Sequence, residues 1–566
     1  MGKSLSFTRG LTDRRSRRGG GGFSLQRQPW FSVADQKRPE IRGGFGGRGK
    51  TAGGGSGCGG TAVAALAVLG SPPSSPPLSP ILLSSSSSFT KKMTSHNLLL
   101  FITLLTSLFL DATTACHVDD ESGLLGFKSG ITRDPTGLLS SWKPGTDCCG
   151  WSGVQCRSDG RVTMLSFRGE SDVKPTLSGT ISPSLSKLRF LDTILFQYLG
   201  GLSGPFPHFL FHLPDIQTVY FVGCKLSGKI PENIGELARL SSLSLEGNRF
   251  SGSIPSSIGN LSQLTELRLD GNRLTGGIPE TITQLKKLNT LSLMNNKLSG
   301  SIPDYLAALP ELTTLRLSHN KFSGEIPSSI SALSPKLQFL ELGHNKLRGK
   351  IPDFIGNFHA IETLDLSWNH FSGAVPKSFL NLTALFVLDL SHNSLVDPFP
   401  AMNVERAQTL DLSYNKFHLG EIPDFVTASP NMFSLRLAKC GVKIKLDDWK
   451  PKEYLFYLYI DLSENEITGS PVGLFNRTDN LRGFYASGNK LEFNLEDLRF
   501  NVKELKELDL SRNRVFGKVP KTVAVLQKLN LSHNRLCGRL PATKFPAAVF
   551  AGNACLCGSP LPPCKA

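Results

Sequence analysis

Serine, histidine and asparagine or aspartate recur side by side in LRLSHN, LDLSHN and LNLSHN, the residue types of a nucleophile, a base and its orienter. A hydrolytic triad needs one such set converging in a single pocket. Here His319, His392 and His533 stand at the same place in three copies of one pattern, so they spread along a surface and argue against catalysis. Neither GxGxxG nor GxxxxGKS/T, HExxH or a kinase signature occurs. No cofactor, resident metal or enzymatic activity is expected.

The second group able to do chemistry is the cysteines. Of 11, Cys58 lies early, while Cys116, Cys148, Cys149 and Cys156 form one cluster, Cys537, Cys555, Cys557 and Cys564 form another, and Cys224 and Cys440 stand alone between them. Two quartets bracketing a long body read as disulfide-stapled caps in an oxidising compartment. A zinc reading of each quartet is the weaker alternative: adjacent Cys148 and Cys149 suit two diverging bridges, and no ligand-spaced histidine pair accompanies either set.

Between the quartets the chain repeats itself. LSSLSLEGNRFSGSIPSSIGN, LTELRLDGNRLTGGIPETITQ, LNTLSLMNNKLSGSIPDYLAA and IETLDLSWNHFSGAVPKSFLN all fit L-x-x-L-x-L-x-x-N-x-L, the leucine-rich repeat signature. Its asparagine falls at 248, 272, 296, 320, 345, 369, 393, 415, 465, 489, 513 and 534, with Cys224 and Cys440 in the same slot, a period of about 24 residues. L-x-L alternates with period 2, which turns the leucines into a solenoid core and the intervening residue outward on a parallel sheet. The asparagine amide can satisfy backbone groups left over where the chain leaves the strand, and a buried cysteine is a small hydrophobe with a weak S–H donor in that place. Gly in SGxIP permits a bend and Pro blocks helix there. The fold expected is an α/β-type leucine-rich repeat solenoid, with a parallel concave sheet and a 3-10 or irregular convex side, disulfide-capped at both ends.

The chain of 566 residues carries 62 Lys and Arg against 46 Asp and Glu, a formal charge of +16 that suggests a nucleic-acid binder. Residues 1–92, however, hold 14 of the bases and 3 of the acids, so the body is only mildly basic and no nucleic-acid partner is expected. That leader is a low-complexity Gly, Ser, Pro and Arg tract, expected to be disordered; RNA-binding and plastid-transit readings are its alternatives. From Met93 a basic start, an apolar run over Leu98–Leu110 and small residues before Cys116 read as a secretory signal over 93–115, too short to span a membrane. The remaining divisions are an N-terminal cysteine cap over 116–160, the solenoid over 161–540 and a C-terminal cap over 541–566, with the mature chain beginning at Cys116.

The SGxIP insert, the period, the leading CHVDDESGLLGFKSGITRDPTGLLSSWKPGTDCCGWSGVQC and the closing NACLCGSPLPPC resemble plant extracellular leucine-rich repeat proteins, especially polygalacturonase-inhibitor-like and related cell-wall proteins, as well as receptor-like-protein ectodomains. In that family the capping cysteines pair locally, which implies Cys116 with Cys148, Cys149 with Cys156, Cys537 with Cys555, and Cys557 with Cys564. The chain departs from typical inhibitors in having more repeats and in losing SGxIP beyond Asn393. The resemblance implies a secreted glycoprotein of the apoplast in defence or signalling, with a protein or peptide ligand, a polygalacturonase or a membrane receptor kinase as partner, and pectin association as a further option.

Binding would fall on the concave face. Glu341, Asp365, Asp389 and Asp411 take the outward strand position on consecutive coils, and His344, Trp368, His392 and Tyr414 stand beside the ladder slot. One reading makes the acids a solvated consensus feature whose mutual repulsion nothing in the column relieves; the other makes an acidic and aromatic face for a basic partner. Arg268 and Arg316 on earlier coils suggest a charge gradient. The sequons at Asn260, Asn381 and Asn476 follow the ladder turn and suit glycans, whereas that at Asn530 lies in a strand. A structural wall protein holding polysaccharide is the competing function.

Overall fold

The computed structural model describes residues 116–169, 176–402, 405–454 and 456–564. The leader over 1–92 and the signal segment over 93–115 lie outside the described residues. Each coil contributes one short strand whose apolar residues point inward, and successive strands stack in parallel with one coil's leucine over the next. Leu267 pairs with Leu291, Leu291 with Leu315, Leu315 with Leu340, Leu340 with Leu364 and Leu364 with Leu388, and all of them are buried. This ladder runs without a break from Val162–Arg168 to Lys528–Asn530, with Val154–Cys156 added antiparallel at its start.

The asparagines tie each coil to the one before. Asn369 donates from Nδ2 to the carbonyls of Leu342 at 3.0 Å, Leu366 at 3.2 Å and Ser367 at 3.0 Å, while its Oδ1 accepts from the Leu347 N–H at 2.9 Å. The same set recurs at Asn272 and Asn513. A buried carboxamide with both ends engaged replaces the water these backbone groups have lost. Cys224 and Cys440 hold the slot with their thiols 3.8 Å from the Phe196 carbonyl and 3.3 Å from the Leu412 carbonyl, in agreement with the period. Asn553 adds a rung that the count of repeats misses, donating to Leu531 at 2.9 Å and accepting from Leu536.

On the flank, the SGxIP bends form a second parallel ladder, in which Gly252 at φ +85° pairs with Leu274 of the next coil. After a break beyond Arg273–Leu274, a separate sheet of the same kind runs through Ser299–Ser301, Lys321–Gly324, Lys346–Lys350, His370–Ala374 and Ser394–Val396. After the bend, most of the prolines open a 3-10 helix on the convex side, as Pro255 does for Ser256–Asn260 and Pro376 for Lys377–Asn381. Where SGxIP disappears, the flank ladder thins to single bridges, such as Val396 to Lys416 and Gly420 to Val442, and to two-residue pairings, such as Thr468–Gly469 with Lys490–Leu491. The concave ladder survives because it depends on L-x-L and the asparagine, which those coils keep.

The N-terminal cap contains an α-helix at Val118–Ser129 that sequence periodicity did not resolve. It is pinned by buried Asp120, which accepts from Arg161 at 3.0 and 2.7 Å and from the Val162 N–H at 2.9 Å. Phe127 and Trp142 cover the end of the core against Phe167 and Trp151. Disulfides join Cys116 to Cys148, Cys149 to Cys156, Cys537 to Cys555, and Cys557 to Cys564. The close sulfurs of Cys116, Cys148 and Cys149 are thereby committed to disulfides rather than to a metal.

Asn369→Ala strands one N–H and several carbonyls in the interior and should cost roughly 2–4 kcal/mol, read as a lowered melting temperature by circular dichroism. Cys224 is 5% exposed and Cys440 fully buried, and burial pushes the Cys224 thiol up to about 12 and that of Cys440 higher still. Maleimide should label neither until the chain is denatured, since the thiolate is the reacting form; native labelling of either would contradict the ladder placement.

Candidate functional site

The residue just before each ladder asparagine turns the chain off the strand, and it does so in the left-handed region. Gly247, Gly271 and Gly488 fill that slot at φ +63° to +68°, the natural choice because L side chains are strained there. Five consecutive coils fill it with rings instead: His319, His344, Trp368, His392 and Tyr414, at φ +57°, +53°, +50°, +54° and +57°. Each such residue costs on the order of 1–2 kcal/mol against glycine. The rings recover part of it by stacking, at roughly 0.5–1.5 kcal/mol per pair.

The stack is continuous. Centroids are separated by 3.9 Å for His319 and His344, 5.1 Å for His344 and Trp368, 3.7 Å for Trp368 and His392, and 4.5 Å for His392 and Tyr414, with interplanar angles of 13° to 19°. His344, Trp368 and His392 therefore have both faces covered and present edges outward. Trp368 and Tyr414 remain 43% and 37% exposed. His319 joins the rail although sequence reasoning noted it only as a repeated histidine; the signal was its place in the same slot as His344.

Beneath the rail the acid column differs from the sequence expectation. Asp411 is buried and Asp365 and Asp389 half-buried, and their carboxylates turn onto the following serines instead of into solvent. Asp365 accepts from Ser367 N at 2.9 Å and Oγ at 2.6 Å, Asp389 from Ser391 N at 3.0 Å and Oγ at 2.6 Å, and Asp411 from Ser413 N at 2.9 Å. Asp365 reaches over Gly343, where any Cβ would collide with its oxygens. Burial, reinforced by Asp389, lifts Asp365 to about 7 and Asp411 to about 8, and burial raises Asp389 as well. The expectation of a solvated or freely acidic column is corrected: packing between coils desolvates it, and protonation relieves the repulsion.

The charge gradient is corrected too. Arg316 Nε lies 2.8 Å from Glu341 Oε1, a close ion pair of poor hydrogen-bond alignment, and Arg268 pairs with Glu266. Burial still raises Glu341 above its ordinary range. Arg436 closes the other end of the column, 3.7 Å from Asp411. Burial pushes His344 and His392 down to about 4, with neighbouring histidines adding to the effect at His344. At mildly acidic pH His344 and His392 are thus neutral and Asp365 and Asp411 hold their protons, so this face carries less charge than its composition suggests. Away from it, Asn260, Asn381 and Asn476 are exposed on the convex side of their coils. Asn530 is engaged within its strand, donating to Asp509 at 3.3 Å and accepting from Ser532 Oγ at 2.8 Å.

These shifts fix a sign. Raised carboxyl pKa values stabilise the fold most below the ordinary value near 4, and that contribution is lost as pH rises through about 7 to 8. The lowered histidines act oppositely, contributing above about 6.5 and losing that contribution as pH falls through about 4. From pH 6.5 to 8.5 only the carboxyls operate, so stability should fall across that window by up to about 1.4 kcal/mol per pH unit for each proton retained. Asp365→Asn with Asp411→Asn should flatten the decline in melting temperature; an unchanged slope would show that the column does not hold those protons.

Comparison with known proteins adds to this geometry. Residues 117–157 match the leucine rich repeat N-terminal domain, 182–334 a leucine-rich repeat region, and 336–358, 360–382 and 525–543 single leucine rich repeats. The chain is 39% identical over 123 residues to leucine-rich repeat protein FLOR 1 of Arabidopsis thaliana, covering 22% of this chain and 34% of that protein. It is 33% identical over 123 residues to a polygalacturonase inhibitor of Vitis vinifera, covering 21% and 34%. The matched stretches thus span about a third of these relatives. In fold it is similar to the ectodomain of the Arabidopsis receptor kinase HAESA, solved in complex with an N-terminally extended IDA peptide hormone, with TM-score 0.50, 26% identity and coverage of 77% of this chain and 98% of that one. Among the described residues no helix is long and apolar enough to cross a membrane. With a matching N-terminal domain, matching repeats and the coil-to-coil geometry that the repeats require, the chain carries a leucine rich repeat N-terminal domain followed by leucine-rich repeats and is similar to plant polygalacturonase inhibitors and receptor-like proteins.

Proposed function

We propose that the chain is a secreted, non-catalytic recognition protein of the cell wall that holds an extended segment of a protein or peptide along the ring rail from His319 to Tyr414. The observation that carries this reading is the mutual stacking of the rings. A sugar docks on an open aromatic face, but the inner rings of this stack offer only edges, which carry imidazole nitrogens and the indole N–H. Such a strip suits amide carbonyls and side chains of a polypeptide better than a polysaccharide, and neutral His344 and His392 give it little attraction for an anionic pectin. The similarity to a receptor ectodomain solved with a peptide hormone, and to inhibitors of polygalacturonase, supports a polypeptide partner. On this reading the chain either blocks a wall-degrading enzyme or presents a ligand to a membrane receptor kinase. Glycans on Asn260, Asn381 and Asn476 would leave the rail clear.

Affinity purification with tagged protein from extracellular fluid should retain a saturable protein partner. Trp368→Ala, folding verified, should weaken that retention about 30-fold, the equivalent of about 2 kcal/mol at an interface anchor, chiefly through faster dissociation. Unchanged affinity would remove this face from consideration. Retention on immobilised pectin with no protein partner would favour the wall-scaffold reading instead.

A further inference from the structure

A second recessed region lies far from the rail, on the convex side of the first coils. Between the 3-10 helices Pro183–Lys187 and His208–His212 opens a cleft of about 730 Å³. Its sequence departs from the repeat. Where later coils carry SGxIP followed by small residues, as in SGSIPSSIGN, this coil reads SGPFPHFLFH. Phe206 takes the isoleucine slot and is buried, and Phe211 lies half-buried with its ring centroid 6.2 Å from that of Phe206. His208 stands 5.8 Å from the Phe211 ring.

The charge of the lining is one-sided. Arg189, His208 and His212 can carry positive charge, no Asp or Glu lines the cleft, and Arg189 has no carboxylate at ion-pair distance among the described residues. An apolar aromatic wall beside an unpaired guanidinium is complementary to a ligand with a flat apolar body and one anionic end. We propose that this cleft binds a small aromatic monocarboxylate, its ring against Phe211, which buried Phe206 backs, and its carboxylate on Arg189. This is independent of the ring rail and of any partner bound there.

The test uses the whole secreted chain and 3-phenylpropanoate as probe, followed by calorimetry and ligand-detected NMR. Saturable binding is expected, with magnetisation transfer to the ring protons. Arg189→Gln and the uncharged 3-phenylpropanamide should each bind at least about tenfold more weakly, as loss of a charge-assisted bidentate pair requires. Phe211→Ala, with folding verified by circular dichroism at the temperature of the assay, should weaken binding because its ring lines the cleft. Absence of saturation at millimolar probe, equal binding of the amide, or insensitivity to Arg189→Gln would overturn the proposal. Octanoate binding as tightly as 3-phenylpropanoate would overturn the aromatic assignment and make the occupant an acyl carboxylate.

Discussion

At the end of the concave strands the backbone turns inward and leaves N–H and C=O groups that the strand ladder does not satisfy, some in the same coil and some in the coil before. The ladder carboxamide, reaching back one coil, closes that gap, and everything else in the solenoid depends on it. Because Asn345, Asn369 and Asn393 each bridge to the preceding coil, coils cannot slide against one another. Leucine then stacks on leucine, and residues 24 apart in the chain become nearest neighbours. A coil alone has neither a core nor a complete set of hydrogen bonds, so stability is shared between neighbours and must be sealed at the ends. The disulfides and the buried Asp120 and Arg161 pair serve that purpose at the N-terminus, and Asn553 carries the ladder into the C-terminal cap.

The same register creates the site. A ring in the slot before the ladder asparagine is held in a strained backbone conformation by a carboxamide that is itself locked. Five such residues on consecutive coils have their rings delivered to stacking distance by the strand spacing alone. The strain is a cost that the fold tolerates there and avoids in coils that keep glycine. Two consequences of one geometry are therefore linked: the rail has a defined edge, and His344 and His392 within it are desolvated enough to remain neutral under mildly acidic conditions.

Charge on the concave face follows from packing rather than from composition. Four acids on consecutive coils would repel one another if they all stood ionised in water. In the fold the glutamate pairs with Arg316, the aspartates turn onto serine donors, Arg436 caps the far end, and raised proton affinity relieves what remains. Gly343 is part of this arrangement, since a serine there, as in the following coils, would occupy the place of the Asp365 carboxylate.

The sequence by itself determined the architecture, because period, L-x-L and the asparagine are local patterns whose physical meaning does not depend on distant residues. It also set Cys224 and Cys440 in the ladder and the aromatic residues in one column, since a constant period makes position along the chain equivalent to position across the sheet. The disulfide partners were legible through resemblance to a family and not from spacing. Only the tertiary structure decided how side chains turn within those columns. That Asp365 and Asp411 bend onto Ser367 and Ser413, that Arg316 is already committed to Glu341, and that the rings lie face to face depend on rotamers and desolvation set by the coil above and the coil below. The cleft at Phe206 and Arg189 likewise joins residues of two coils across a flank where the repeat pattern is broken, and a pattern carries no information where it is interrupted.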